Sequence, residues 1–121
     1  IEVIVEGLLS LKLLKGSKEE VIDKGLYSKF YMHRIGHWLG MDVHDVGSYK
    51  QDGDWRALEK GMVMTVEPGI YILNSLEDVD DKWKGIGVRI EDDILITDTG
   101  FEVLTPNVPR TIDEVEQTVK G

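Results

Sequence analysis

The apolar pattern of this chain changes period once, and that change restricts the fold more than any other feature. Over residues 2 to 15, Val5, Leu8, Leu9, Leu11, Leu13 and Leu14 recur at mixed three- and four-residue spacings, which predicts a helix with a wide apolar face. Gly16 is the expected stop. Ser17 with Glu20 forms a capping-box pattern that opens a second short helix through Val21 and Ile22 towards Gly25. Tyr27 to Met32 is aromatic-rich and fits either a helix or an extended approach. From Gly40 onward the runs become short and β-like. Met62 to Val66 and Ile70 to Ile72 flank a turn at Glu67, Pro68 and Gly69. Acid-rich residues 74 to 84 read as a solvated loop, and Gly87 to Glu91 and Asp93 to Thr97 as strand. A turn at Asp98 to Gly100 leads to a last strand from Phe101 to Leu104, and Thr111 with Glu114 caps a tail helix from Ile112 to about Val119. The plan is α+β: helices first, then a mainly antiparallel sheet, then a helix.

The 121 residues suffice for one domain with a core, and the expectation is a single domain over 1–121. The start at Ile1 lacks an initiating Met and the basic flank of a signal peptide, so the chain reads as a piece of a longer protein. The net charge of −9 argues against nucleic acid or an anionic membrane as the main partner. No apolar run approaches the roughly 20 residues that span a bilayer. With no cysteine, disulfides, thiolate metal sites and a cysteine nucleophile are excluded, and a cytoplasmic location is the expectation.

All three histidines, His33, His37 and His44, fall within one short stretch. His33 and His37 are four apart, a spacing that binds metal on a helix in two-His zinc proteases. There a Glu follows the first His; here Arg34 does, and Gly36 and Gly40 make a regular helix poor. A tight backbone path that carries one histidine to a site and another past it fits better. Glu67, after an apolar run, would project from the end of an interior strand, where burial is expensive without a cation. Glu91 stands in a run in which Arg89, Glu91 and Asp93 share one strand face. Each feature also has a plain explanation: satisfied histidines, a glutamate at an exposed turn, an Arg89–Glu91–Asp93 ladder on a solvated face. Their joint occurrence favours a metal site of imidazole nitrogen and carboxylate oxygen. No Gly-x-Ser-x-Gly elbow or phosphate loop is present, and Trp38, Trp55 and Trp83 lack the basic stripe of a stacking platform.

Four strings carry a resemblance: His33-x-x-x-His37-x-x-Gly40, His44-Asp-Val-Gly47, Thr65-Val-Glu-Pro-Gly69 and Gly87-Val-Arg-Ile-Glu-Asp-Asp93. From about Gly7 to Val115 the chain resembles the C-terminal part of the catalytic domain of Xaa-Pro aminopeptidase (aminopeptidase P), among the pita-bread metallopeptidases. The resemblance implies the C-terminal half of a pita-bread fold, with helices packed on a curved, mainly antiparallel sheet. It implies an enzyme that hydrolyses the N-terminal Xaa-Pro bond with two divalent ions, usually manganese. His37, Glu67 and Glu91 would be ligands, with Glu91 bridging the ions and Glu67 also able to take a proton. His33 and His44 would line the substrate site and stabilise the oxyanion, Arg89 would orient ligands, and Tyr71 would sit near the pocket. The partner would be a peptide with proline second, and the parent protein a homo-oligomer.

The family site also takes two aspartates from an earlier segment, and Asp42, Asp45, Asp52, Asp54, Asp92 and Asp93 do not fall at their positions. The 121 residues by themselves are therefore expected to be inactive. Two other readings stand beside the enzyme: a non-catalytic pita-bread binding protein, which would tend to lose the ligands, and a stand-alone His-Glu-Glu metal-binding domain.

Overall fold

A computed structural model describes residues 1–121 and divides them into two units, 1–33 with 69–89 and 34–68 with 90–121. The first unit carries the main apolar core. Helix α1 (Glu2–Ser10) buries Val5 and Leu8 completely. It ends well before Gly16, because Lys12 adopts a left-handed φ of 59°. The N–H of Lys12 then reaches the Leu9 carbonyl and that of Leu13 the Leu8 carbonyl. This is a Schellman stop with Lys12 where glycine is usual, and its apolar contact is between Leu8 and Leu13. Leu13 and Leu14 are still buried, but by the turn rather than by a continued helix.

Helix α2 (Lys18–Asp23) begins as expected, with Ser17 Oγ accepting the Glu20 N–H at 3.1 Å. Gly25, at φ 62°, turns the chain into a 3-10 segment, Leu26–Lys29, which delivers Phe30 to the core. Val21, Ile72 and Val79 complete that core. Fully burying side chains of this size is worth about 1.5–3 kcal/mol each. Val79 corrects the reading of residues 74–84 as simply solvated. The acids there face water, while Val79 is only 7% exposed and Trp83 packs on the core.

In the second unit a short hairpin, β1 (Lys50–Gln51) and β2 (Asp54–Trp55), turns at Asp52 and Gly53, both at positive φ. Strands β3 (Val63–Val66), β6 (Asp92–Thr97) and β7 (Gly100–Val103) form an antiparallel sheet in the order β3-β6-β7. Strands β4 (Gly69–Tyr71) and β5 (Gly87–Arg89) pair with each other in the first unit. The runs around Glu67-Pro68-Gly69 are thus not a hairpin: each pairs with a later strand. Helix α3 (Ile112–Lys120) has the full capping box of Thr111 and Glu114.

The run from Val88 to Ile96 is not one strand. The strand assignment is interrupted at Ile90 and Glu91, between β5 and β6. The cause lies in the partner segment. The Ile90 N–H donates to the Pro68 carbonyl at 3.2 Å, but Pro68 has no N–H to return the bond. The ladder therefore stops at Val66 opposite Asp92.

Candidate metal centre

The break places two carboxylates face to face. Val66 pairs with Asp92, and the Ile90–Pro68 bond keeps that register, so Glu67 and Glu91 occupy directly opposed positions. Such a pair, flanked by hydrogen-bonded pairs, brings its side chains closest and onto the same face. Like charges in that arrangement destabilise a sheet unless a cation lies between them.

His37 arrives from the other side of β3. Residues 35–39 run antiparallel beside that strand: Glu67 N–H donates to the Ile35 carbonyl at 2.7 Å, Thr65 N–H to the His37 carbonyl at 2.9 Å, and Leu39 N–H to the Val63 carbonyl at 3.1 Å. His37 is therefore on an extended segment, and the i, i+4 spacing from His33 does not place the two on a helix face. Gly36 makes this approach possible, since a Cβ there would lie 1.8 Å from the Thr65 carbonyl oxygen. At Gly40 the constraint is weaker, since a Cβ there would meet Asp45 Oδ2, the end of a side chain that can turn aside.

Thr65, only 2% exposed, ties the donors together. Its Oγ1 accepts the His37 N–H at 3.0 Å and donates to Glu67 Oε1 at 3.2 Å. His37 Nδ1 lies 3.0 Å from the Trp38 carbonyl, which can only accept, so Nδ1 carries the hydrogen. Nε2 is then the basic nitrogen, and it stands 3.5 Å from Glu67 Oε1. Fixing a ligand imidazole through its other nitrogen is a common feature of metal sites.

One ligand atom each from His37, Glu67 and Glu91 lies within 4.8 Å of the others. Nitrogen and oxygen donors sit roughly 2.0–2.2 Å from a first-row divalent ion, so donors on one ion are at most about 4.4 Å apart. The cluster fits a cation with a small inward adjustment, or two ions sharing a carboxylate. The donor set, one imidazole and two carboxylates without thiolate, suits hard-to-borderline divalent metals.

The His44 ring lies against the His37 ring, with centroids 4.2 Å apart. His33 and Tyr71 belong to the first unit, where His33 Nε2 is 3.0 Å from Tyr71 Oη and its ring also meets the edge of Tyr31. Arg89 is in β5, paired with Gly69. Sequence reasoning assigned Thr65 no role, although a polar residue two before Glu67, on the same strand face of an apolar run, was the available signal.

With the geometry established, comparison with known proteins assigns the class. Residues 8–98 match the model of metallopeptidase family M24, and the chain belongs to that family. It is 53% identical over 116 residues to the Xaa-Pro aminopeptidase of Haemophilus influenzae, covering 96% of this chain and 26% of that protein. The structure of Pseudomonas aeruginosa aminopeptidase PepP matches with a TM-score of 0.94 at 57% identity, over 98% of this chain and 27% of that one. Escherichia coli aminopeptidase P, solved with the inhibitor Pro-Leu, matches with a TM-score of 0.88 at 51% identity, over 96% of this chain and 26% of that one. The chain thus spans about a quarter of the length of these relatives. The α+β pita-bread architecture expected from the motifs is borne out by these matches.

Proposed function

We propose that this chain supplies three ligands, His37, Glu67 and Glu91, to the dinuclear centre of an Xaa-Pro aminopeptidase. The observation that carries the reading is the opposed Glu67–Glu91 pair at the strand break, with His37 Nε2 turned towards Glu67. A family whose members include Xaa-Pro aminopeptidases supports it. On this reading His37, Glu67 and Glu91 would hold divalent ions, taken to be manganese. When bound, they supply positive charge that polarises the scissile carbonyl and acidifies the attacking water.

The remaining steps belong to the protein. Thr65 holds Glu67 in place, and the Glu67 carboxylate takes the proton of the attacking water and returns it to the departing proline nitrogen. His44, whose ring lies against that of His37, donates a hydrogen bond to the scissile region as negative charge develops on its oxygen. A bond before proline is a tertiary amide with no N–H, so extended-strand recognition of the substrate fails and a shaped pocket must replace it. Tyr71, beside His33 at 3.0 Å, orients that imidazole. Three ligands do not complete a two-ion site, so the 121 residues alone are inactive.

One assay tests this. On a peptide with proline second, the full-length protein should turn over, whereas its Glu91→Ala variant and the isolated 121 residues should not. Near-normal turnover by Glu91→Ala would refute Glu91 as a ligand, and turnover by the isolated chain would refute the partial site.

A further inference from the structure

Glu91 stands between the Val66–Asp92 pair and the Ile90–Pro68 bond, so its position depends on what anchors the residues beside it. On the N-terminal side that anchor is the Ile90–Pro68 bond at 3.2 Å. On the C-terminal side Asp92 is held by its pairing with Val66 and by an ionic cluster. Thr105 Oγ1 donates to Asp92 Oδ1 at 2.7 Å and accepts the Asp93 N–H at 3.2 Å. Arg110 Nη2 lies 3.1 Å from the same Asp92 oxygen and donates to the Thr105 carbonyl at 2.8 Å. Arg110 itself is placed by the start of α3, since its N–H and that of Thr111 both donate to Glu114 Oε2, at 3.2 and 3.0 Å.

These contacts form one strut, from the cap of α3 through Arg110 to Asp92 and Thr105, ending at the residue next to a metal ligand. The Asp92 side chain is 19% exposed and that of Arg110 34%. A pair this sheltered, with further hydrogen bonds at both ends, is better placed to hold geometry than an exposed ion pair. Because it buries a charge at Asp92, its removal also leaves a carboxylate short of a donor.

We propose that Arg110 and Asp92 are positioning residues that fix Glu91 for metal binding, with Thr105 as the brace between them. This rests on the assignment of Glu91 as a ligand. Neither residue touches the ions; each acts through the backbone at residues 91–93. Supporting residues of this kind typically alter metal affinity by about 10- to 100-fold when replaced.

The test is calorimetric titration of the full-length apoprotein with Mn(II), with unfolding temperature measured in parallel. Arg110→Met should weaken Mn(II) binding about tenfold, and Arg110→Lys should recover part of the loss, because the ammonium keeps the charge but not the planar fork. The near-isosteric Asp92→Asn should repeat the Arg110→Met loss without depending on a change of side-chain volume. Glu91→Ala serves as the reference for loss of the ligand itself. A lowered unfolding temperature with unchanged Mn(II) affinity in both Arg110→Met and Asp92→Asn would overturn the strut while leaving the site intact. Unchanged affinity in Glu91→Ala would instead overturn the metal assignment on which the strut depends.

Discussion

Thr65 shows how much of the His37–Glu67 geometry depends on one buried hydroxyl. It accepts the backbone N–H of His37, donates to Glu67, and is almost wholly buried. Thr65→Val keeps the shape but leaves the His37 N–H without its acceptor and Glu67 Oε1 without that donor. The expected loss of folding stability is about 1–3 kcal/mol, read from urea or guanidinium unfolding of the full-length protein. A change within about 0.5 kcal/mol, the range of ordinary surface substitutions, would show that the hydroxyl carries no such duty. Gly36 is the matching backbone constraint, since any side chain there would collide with the Thr65 carbonyl. At this scale the sequence was partly legible. Glu67, Glu91 and the histidine cluster stand out by residue type, and the structure brings His37, His44, Glu67 and Glu91 into the second unit. Thr65 was not legible as a brace, because a threonine in a β-run is ordinary and its role comes from a segment far away in the chain.

Elements were legible where local chemistry decides them. Ser17 and Thr111 cap helices as their spacing indicated. The end of α1 was not, because the left-handed turn falls on Lys12 and no glycine marks it. The place of the break was hidden for a different reason. The sequence suggests an interruption at Asp92, between Gly87–Glu91 and Asp93–Thr97; its actual place, Ile90 and Glu91, is imposed by the missing N–H of Pro68 across the ladder. Helix α3 offers a prediction at this scale. The Glu114 carboxyl is held below the usual glutamate range, first by the Thr111 N–H and then by the Arg110 N–H. Its folded pKa is thus below its unfolded one, so the stabilisation is complete above the unfolded value, about 4.3, and disappears as pH falls through the lowered folded value. The first turn of α3 should lose amide-exchange protection at Val115 over that acidic window, and Glu114→Gln should abolish the pH dependence. Protection independent of pH in the native sequence would contradict the role of the cap.

On the scale of the whole molecule, two units divide the work. One buries α1, α2 and Phe30 around the main apolar core and carries His33, Tyr71 and Arg89. The other carries the opposed glutamates, His37 and His44. No helix is long and apolar enough to cross a membrane. The change from helical to strand periodicity made the α+β class readable, and the four motif strings made the family readable. How the strands pair was not, since β3 and β4 adjoin in sequence yet find different later partners. The central claim is that the strand break exists to hold a divalent cation between Glu67, Glu91 and His37. The most direct measurement is the metal-to-protein ratio, by elemental mass spectrometry, of the full-length protein and its His37→Ala, Glu67→Ala, Glu91→Ala and His44→Ala variants after dialysis against Mn(II). The account predicts reduced metal in the first three and near-native metal in His44→Ala. Undiminished metal in the first three, or a loss in His44→Ala as large as that in Glu91→Ala, would contradict it.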